Sequence, residues 1–124
     1  MSENEAIARV RSALETLARG RRTITYKELV ELAAVPEPQR IHRLTLWLEG
    51  LARADHEAGA PLLAALAVSR VSPGIPGRGF FQLIAALGRY SGPEDGAEAA
   101  RHHAREIERV YAAWSRTGQG GESA

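Results

Sequence analysis

The residues best placed for chemistry are basic. Arg40 and Arg43 stand at the start of a stretch whose apolar residues, Ile41, Leu44, Leu48 and Leu51, recur at helical spacing, and they lie on or beside the opposite face. Guanidinium groups so placed can donate to base edges or phosphate oxygens, although the same placement also suits solubility. A second grouping sets Gly74, Gly77 and Gly79 around Arg78, just before another helical pattern. Backbone N–H groups and a guanidinium could converge there on an anion, which makes Gly77, Arg78 and Gly79 candidate phosphate-binding residues. No Lys-Ser/Thr pair follows these glycines, so a Walker-type nucleotide loop is excluded, and a purely structural turn is the alternative.

His102, His103 and Glu106 raise the question of a metal. Adjacent helical residues point about 100° apart and do not easily share one ion. No spacing recommends His42 or His56 as a further ligand, so the expected reading is a solvated helix face with no metal and no cofactor. Ser69, Ser72 and Ser91 lie in no nucleophile-elbow sequence, and cysteine is absent. No catalytic residue is assigned, and the chain is read as a non-enzyme.

The elements that must position these residues follow from periodicity. Ile7, Val10, Leu14 and Leu17 mark a first amphipathic helix over 5–19, ended by Gly20. Residues 21–25 favour a brief extended piece, and Thr25 with Glu28 has the spacing of a capping box. A second helix therefore starts near Tyr26, carries Leu29, Val30, Leu32 and Ala33, and stops by Val35 before Pro36 and Pro38. Pro38 suits the first turn of a third helix, which runs to about Glu57 with Gly59 as its stop. Trp47 falls at the edge of its core stripe. The apolar run 62–71 reads as a buried strand, followed by a sharply turning loop over 72–79. Phe80, Leu83, Ile84 and Leu87 mark a fourth helix, closed by 88–93. A last helix opens at Pro93 with the stripe Ala100, Ala104, Ile107, Tyr111 and Trp114. The expected organisation is one domain over 1–117 and a loose tail over 118–124.

Composition sets the limits. The chain has 124 residues, 44% hydrophobic and 25% charged, with 16 basic against 15 acidic side chains. That is a globular balance for one domain, and a net charge of +1 excludes polyanion binding through bulk charge alone. Charge is nevertheless uneven. Arg70, Arg78 and Arg89 lie in a stretch, 58–92, without a single acid, while Arg19, Arg21, Arg22, Lys27, Arg40 and Arg43 outnumber Glu28, Glu31 and Glu37 between residues 19 and 47. If both stretches share a face, it carries nine basic side chains. A mixed solvated surface is the alternative. No apolar run approaches the roughly 20 residues of a membrane span, and acids near the start argue against a secretory signal, so a cytoplasmic protein is expected.

The segment Arg22-Thr23-Ile24-Thr25-Tyr26-Lys27-Glu28-Leu29 resembles the basic-Thr-Tyr-Gly-Glu-Leu lead-in to the helix-turn-helix of O6-alkylguanine-DNA alkyltransferases and the catalytically dead alkyltransferase-like proteins. Gln39-Arg40-Ile41-His42-Arg43 falls where that family has Arg-Ala-Val-Gly. Ala67-Val68-Ser69-Arg70-Val71 falls at its Pro-Cys-His-Arg-Val, and Gly77-Arg78-Gly79-Phe80 at its Gly-Gly-Phe or Gly-Gly-Tyr step. The likeness covers roughly residues 6–87 and is one of order and spacing, with few identities. Val68 replaces the acceptor cysteine and Ser69 the histidine, which rules out alkyl transfer. Gln39 stands where the resemblance implies the arginine that fills the gap left by a flipped base, with Arg40 one residue away. Residues 61–68 together with 76–81 also resemble a group of small uncharacterised bacterial proteins with a PGxGFF-type turn, a likeness that implies no activity.

These readings converge on a mainly α fold with a short β element, winged-helix-like, in which a helix-turn-helix over 26–51 is joined to a strand and wing-like turn over 62–80. The expected function is a non-enzymatic DNA-binding module, with Arg21, Arg22, Tyr26, Gln39, Arg40, Arg43, Arg70 and Arg78 as DNA-binding residues and a possible relation to lesion recognition. The alternative is a small protein-interaction or accessory module of immunity type that docks a protein partner through the loop 72–81 and binds no nucleic acid.

Overall fold

A computed structural model describes residues 3–71 and 73–123, with side chains described as far as Ser115. Helix α1 spans Glu3–Arg19, strand β1 Ile24–Thr25, α2 Tyr26–Leu32 and α3 Arg40–Glu57. A 3-10 helix over Leu63–Leu66 leads into β2, Ala67–Val68, followed by α4, Arg78–Ala86, and α5, Gly96–Ser123. The architecture is mainly α with a short β element, as expected. The strands pair in parallel, with Ile24 opposite Ala67 and Thr25 opposite Val68.

Helix α1 buries Ala6, Val10, Leu14 and Ala18, a stripe spaced by four, with Ile7 and Leu17 packed at its flanks. Its end is marked by Arg22 N–H donating to Leu17 O across Arg21, which takes the left-handed conformation (φ 54°). The expected capping box of α2 is present: Glu28 N–H donates to Thr25 Oγ1, and Thr25 N–H to the Glu28 carboxylate. Those bonds hold the Glu28 carboxyl below its usual range, with Arg70 adding to the effect.

Helix α3 begins at Arg40, later than Pro38 suggested. Gln39 is left-handed (φ 56°), and the first helical bond runs from Arg43 N–H to Gln39 O. Its buried face is Leu44, Trp47, Leu48, Ala52 and Asp55, so Ile41 is exposed and Leu51 only half-buried, a rotation from the expected stripe. Leu32 of α2 is likewise exposed. Gly59, at φ 71°, stops α3 as expected, with Ala60 N–H donating to Asp55 O.

The apolar run from 62 is not one strand. Leu62 through Val68 are all buried, but only two residues pair as a strand. Glu106 accepts the Leu62 N–H and Asp55 the Leu63 N–H, so the first two amides are satisfied by side chains and the backbone curls into a 3-10 turn. The following loop closes through Ser69 N–H to Ile75 O at 2.7 Å.

Helix α5 differs most from expectation. It opens at Gly96, where Pro93 O is already taken by the Tyr90 hydroxyl. Its buried line is Ala99, His103, Glu106 and Val110 with Tyr111, while Ala104 is exposed. The face expected in solvent thus enters the core, because its polar side chains satisfy the 3-10 segment. The helix continues through 118–123, expected as tail; once nucleated it propagates residue by residue. Ser72 of the expected loop and Ala124 of the expected tail lie outside the described residues.

Candidate nucleic-acid interface

Tyr26 opens α2 beside the parallel strand pair, and its hydroxyl accepts the Gly77 N–H at 2.9 Å. Burial pushes that hydroxyl above the usual tyrosine pKa, against the lowering effect of the Gly77 bond. The ring lines a narrow cavity of about 30 Å³ with Thr45, Leu48, Ala64, Phe80 and Leu83. This is room for a water-sized group and too little for a ring.

One amide of the candidate phosphate cradle is committed within the fold. Gly77 N–H is committed to Tyr26, and Gly77 O accepts from Phe80 N–H. Arg78 pairs with Glu94 at 3.1 Å. Gly79 is exposed at the start of α4 and lines the Tyr26 cavity. Gly77 is tied to the fold, while Gly79 and the Arg78 guanidinium lie at the surface.

The expected DNA-binding arginines separate into two sets. Arg40 turns back to the end of α2: Nε donates to Val35 O at 2.6 Å, one terminal nitrogen to Val30 O and the other to Glu31. Arg9 of α1 meets the same helix end through Ala33 O and Ala34 O. Carbonyls left over at a helix C-terminus are natural partners for guanidinium donors, so Arg40 acts as a cap that fixes the α2–α3 turn. Arg21 bonds Glu108 at 2.7 Å and lies over the Tyr111 ring, which carries it to α5. Arg19 lies over Trp114, and Arg89 pairs with Glu106. The nine basic side chains therefore do not form one face, because aromatic rings, acids and helix ends elsewhere claim several of them.

What the fold does bring together centres on Lys27. One concavity is lined by Lys27, Thr25, Glu28, Glu31 and Arg70. A second is lined by Lys27, Glu31, Glu37, Gln39, Arg40 and His42. The two meet at Lys27 and Glu31, so Gln39 at the start of α3 and Arg70 just past β2 flank one surface. Arg43 is half-buried, with Nε on Pro38 O at 2.8 Å, and Arg22 is exposed beside β1. Sequence reasoning passed over Lys27 and His42 as site residues, although both sit inside the segments quoted for the family resemblance. Acids interleave with these cations, so the local charge is nearly balanced and the surface cannot act as a strong electrostatic footprint.

Among the described residues no group of three or more His, Asp or Glu is placed to hold a metal ion, and no helix is long and apolar enough to cross a membrane. Comparison with protein-family models, curated proteins and solved structures finds no match.

Proposed function

We propose that the protein is a non-enzymatic, cytoplasmic DNA-binding module of winged-helix type, with α2 and α3 as its helix-turn-helix and residues 69–77 as a wing-like turn. The observation that carries this reading is the pair of adjoining concavities joined at Lys27, which puts Gln39, His42 and Arg70 around one surface. The guanidinium caps supplied by Arg9 and Arg40 support it by holding the turn in place before any ligand arrives. Lys27, Arg70, Arg22 and Arg43 take the phosphate-contacting roles, Gln39 and His42 face the bases, and Arg40 positions. The alkyltransferase-like resemblance enters only as a relation of order. With Val68 and Ser69 at the reactive positions, binding to intact duplex is the expected mode.

The test is fluorescence anisotropy of labelled duplexes, with and without an O6-alkylguanine, at low and moderate salt. Few contacts imply a shallow salt slope, about −2 to −4 in log K against log salt. Lys27→Glu and Arg70→Glu should each weaken binding about tenfold or more, whereas Arg21→Ala leaves it unchanged. Absence of binding at low salt overturns the proposal, and preference for the lesion duplex overturns the intact-duplex mode. Exposed Ile41, Leu46 and Val71 favour a second reading, a protein-docking module, which predicts a co-purifying partner and no DNA affinity.

A further inference from the structure

The chain buries a polar cluster that the proposed interface does not use. Glu106 accepts Leu62 N–H at 2.8 Å, Asp55 accepts Leu63 N–H at 3.2 Å, and His103 Nε2 meets Ala65 O at 2.7 Å. All three side chains belong to residues no more than 4% exposed. They come from α3 and α5, and they hold three backbone groups of the one segment that leads into β2. Because Ala65 O can only accept, His103 must carry its proton on Nε2.

We propose that His103, with Asp55 and Glu106, forms an acid-released latch: protonation of the buried imidazole frees the 62–66 segment and with it the placement of β2 and Arg70. Neutral His103 already makes its bond to Ala65, so a second proton, on Nδ1, adds a charge inside the core without being needed for that contact. The surrounding charges are specific. Glu106 and His102 lie nearby on α5, and Asp55 of α3 is paired with Arg11 of α1. Arg89 and Arg109 are paired with Glu106, and Arg89 also meets His56. Three guanidinium groups thus pair with the two carboxylates, leaving little unshared negative charge to receive an imidazolium.

Burial is the main cause that pushes His103 below the ordinary imidazole pKa, with His102 in the same direction and the Ala65 bond and Glu106 opposing. Unfolded or released chains therefore take up the proton near the ordinary value of about 6.5, while the latched chain resists until lower pH. Stability from this group is full above about 6.5 and is lost as the pH falls toward the lower folded value, by at most about tenfold in the opening equilibrium per pH unit and proton. His102, its ring tilted against Tyr90 with centroids 4.5 Å apart, shifts in the same direction, again chiefly through burial, and needs its own control.

The inference stands apart from DNA binding, and its experiment uses no ligand. Amide hydrogen exchange of residues 62–68 is followed from pH 7.5 to 5.5, corrected for intrinsic rates, in wild type, His103→Gln and His102→Gln. Gln retains a donor for Ala65 O and cannot titrate. Opening should rise by up to about fivefold between pH 6.5 and 5.5 in wild type and in His102→Gln, and should lose that dependence in His103→Gln. A pH-independent wild type, or an unchanged slope in His103→Gln, overturns the latch. Should that variant not fold, NMR titration of the wild-type imidazole decides. A His103 midpoint below the ordinary value, coincident with opening, supports the latch, and an ordinary midpoint overturns it.

Discussion

The α2–α3 turn and the 62–66 segment solve the same problem with opposite charges. At the turn, Arg9 and Arg40 donate to the carbonyls of Ala33, Ala34 and Val35 at the end of α2, and Arg40 also to Val30 O beside its bond from Val35 N–H. At the 3-10 segment, Glu106 and Asp55 accept from the two amides left over at its start. In both, a side chain from another element completes a helix end that its own sequence leaves open. The difference is water. The Arg40 side chain is 23% exposed and the Glu106 side chain 3%. Carbonyls at the turn can turn to solvent if their partner is lost, while the amides of Leu62 and Leu63 have no such recourse.

The largest effect should follow from Glu106→Leu. It leaves the Leu62 N–H and the largely buried Arg89 guanidinium without their acceptor, and breaking one side of such a buried pair costs about 3–5 kcal/mol. Urea denaturation at neutral pH measures it. Glu106→Gln, which keeps an acceptor for Leu62, should lose distinctly less. A loss under about 1 kcal/mol for Glu106→Leu would remove the contrast between the two regions.

That contrast also explains what could be read along the chain. Local signals were sufficient where the deciding partner is near in sequence: the Thr25–Glu28 capping box, the stop at Gly59 and the buried positions Val10 and Leu14 all follow from spacings of a few residues. They failed where the partner is remote. The apolar pattern of α5 selects Ala100 and Ala104, but Glu106 must reach Leu62, 44 residues away, and this turns His103 and Glu106 inward. The same remote acceptors curl a run whose composition suits a strand. Arg40 looked like a ligand-facing residue because the start of a helix gives no sign that the Val35 carbonyl, five residues earlier, turns toward it. Of the surface proposed for DNA, Gln39 and Arg70 stand in the segments that carry the resemblance, whereas Lys27 stands out as its centre only once β1 and β2 pair.

A smaller effect is expected at the turn. Arg40→Ala removes donors to Val30, Val35 and Glu31, and solvent replaces them in part, so a loss of about 1–2 kcal/mol is expected. Arg40→Lys should recover only a fraction, since an ammonium cannot reproduce the guanidinium fork that spans two carbonyls and a carboxylate. If Arg40→Ala matches Glu106→Leu in the same urea assay, the turn is as dependent on its cap as the core segment, and exposure does not separate them.

The smallest effect sharpens the comparison at the 69–79 loop, where a surface ion pair and a half-buried hydrogen bond hold the same turn. The Arg78 and Glu94 side chains are 76% and 40% exposed, and pairs of this kind add little to stability. Arg78→Ala should therefore leave the denaturation midpoint unchanged. Tyr26→Phe removes only the hydroxyl that accepts the Gly77 N–H, with a loss of up to about 1 kcal/mol, and it should loosen the loop, visible as faster exchange of the Gly77 amide. The order of these two variants decides what the glycines around Arg78 are for. A stable Arg78→Ala beside a weakened Tyr26→Phe means that the turn is fastened to α2 through its backbone, and the reverse order would return Arg78 to the centre of that loop.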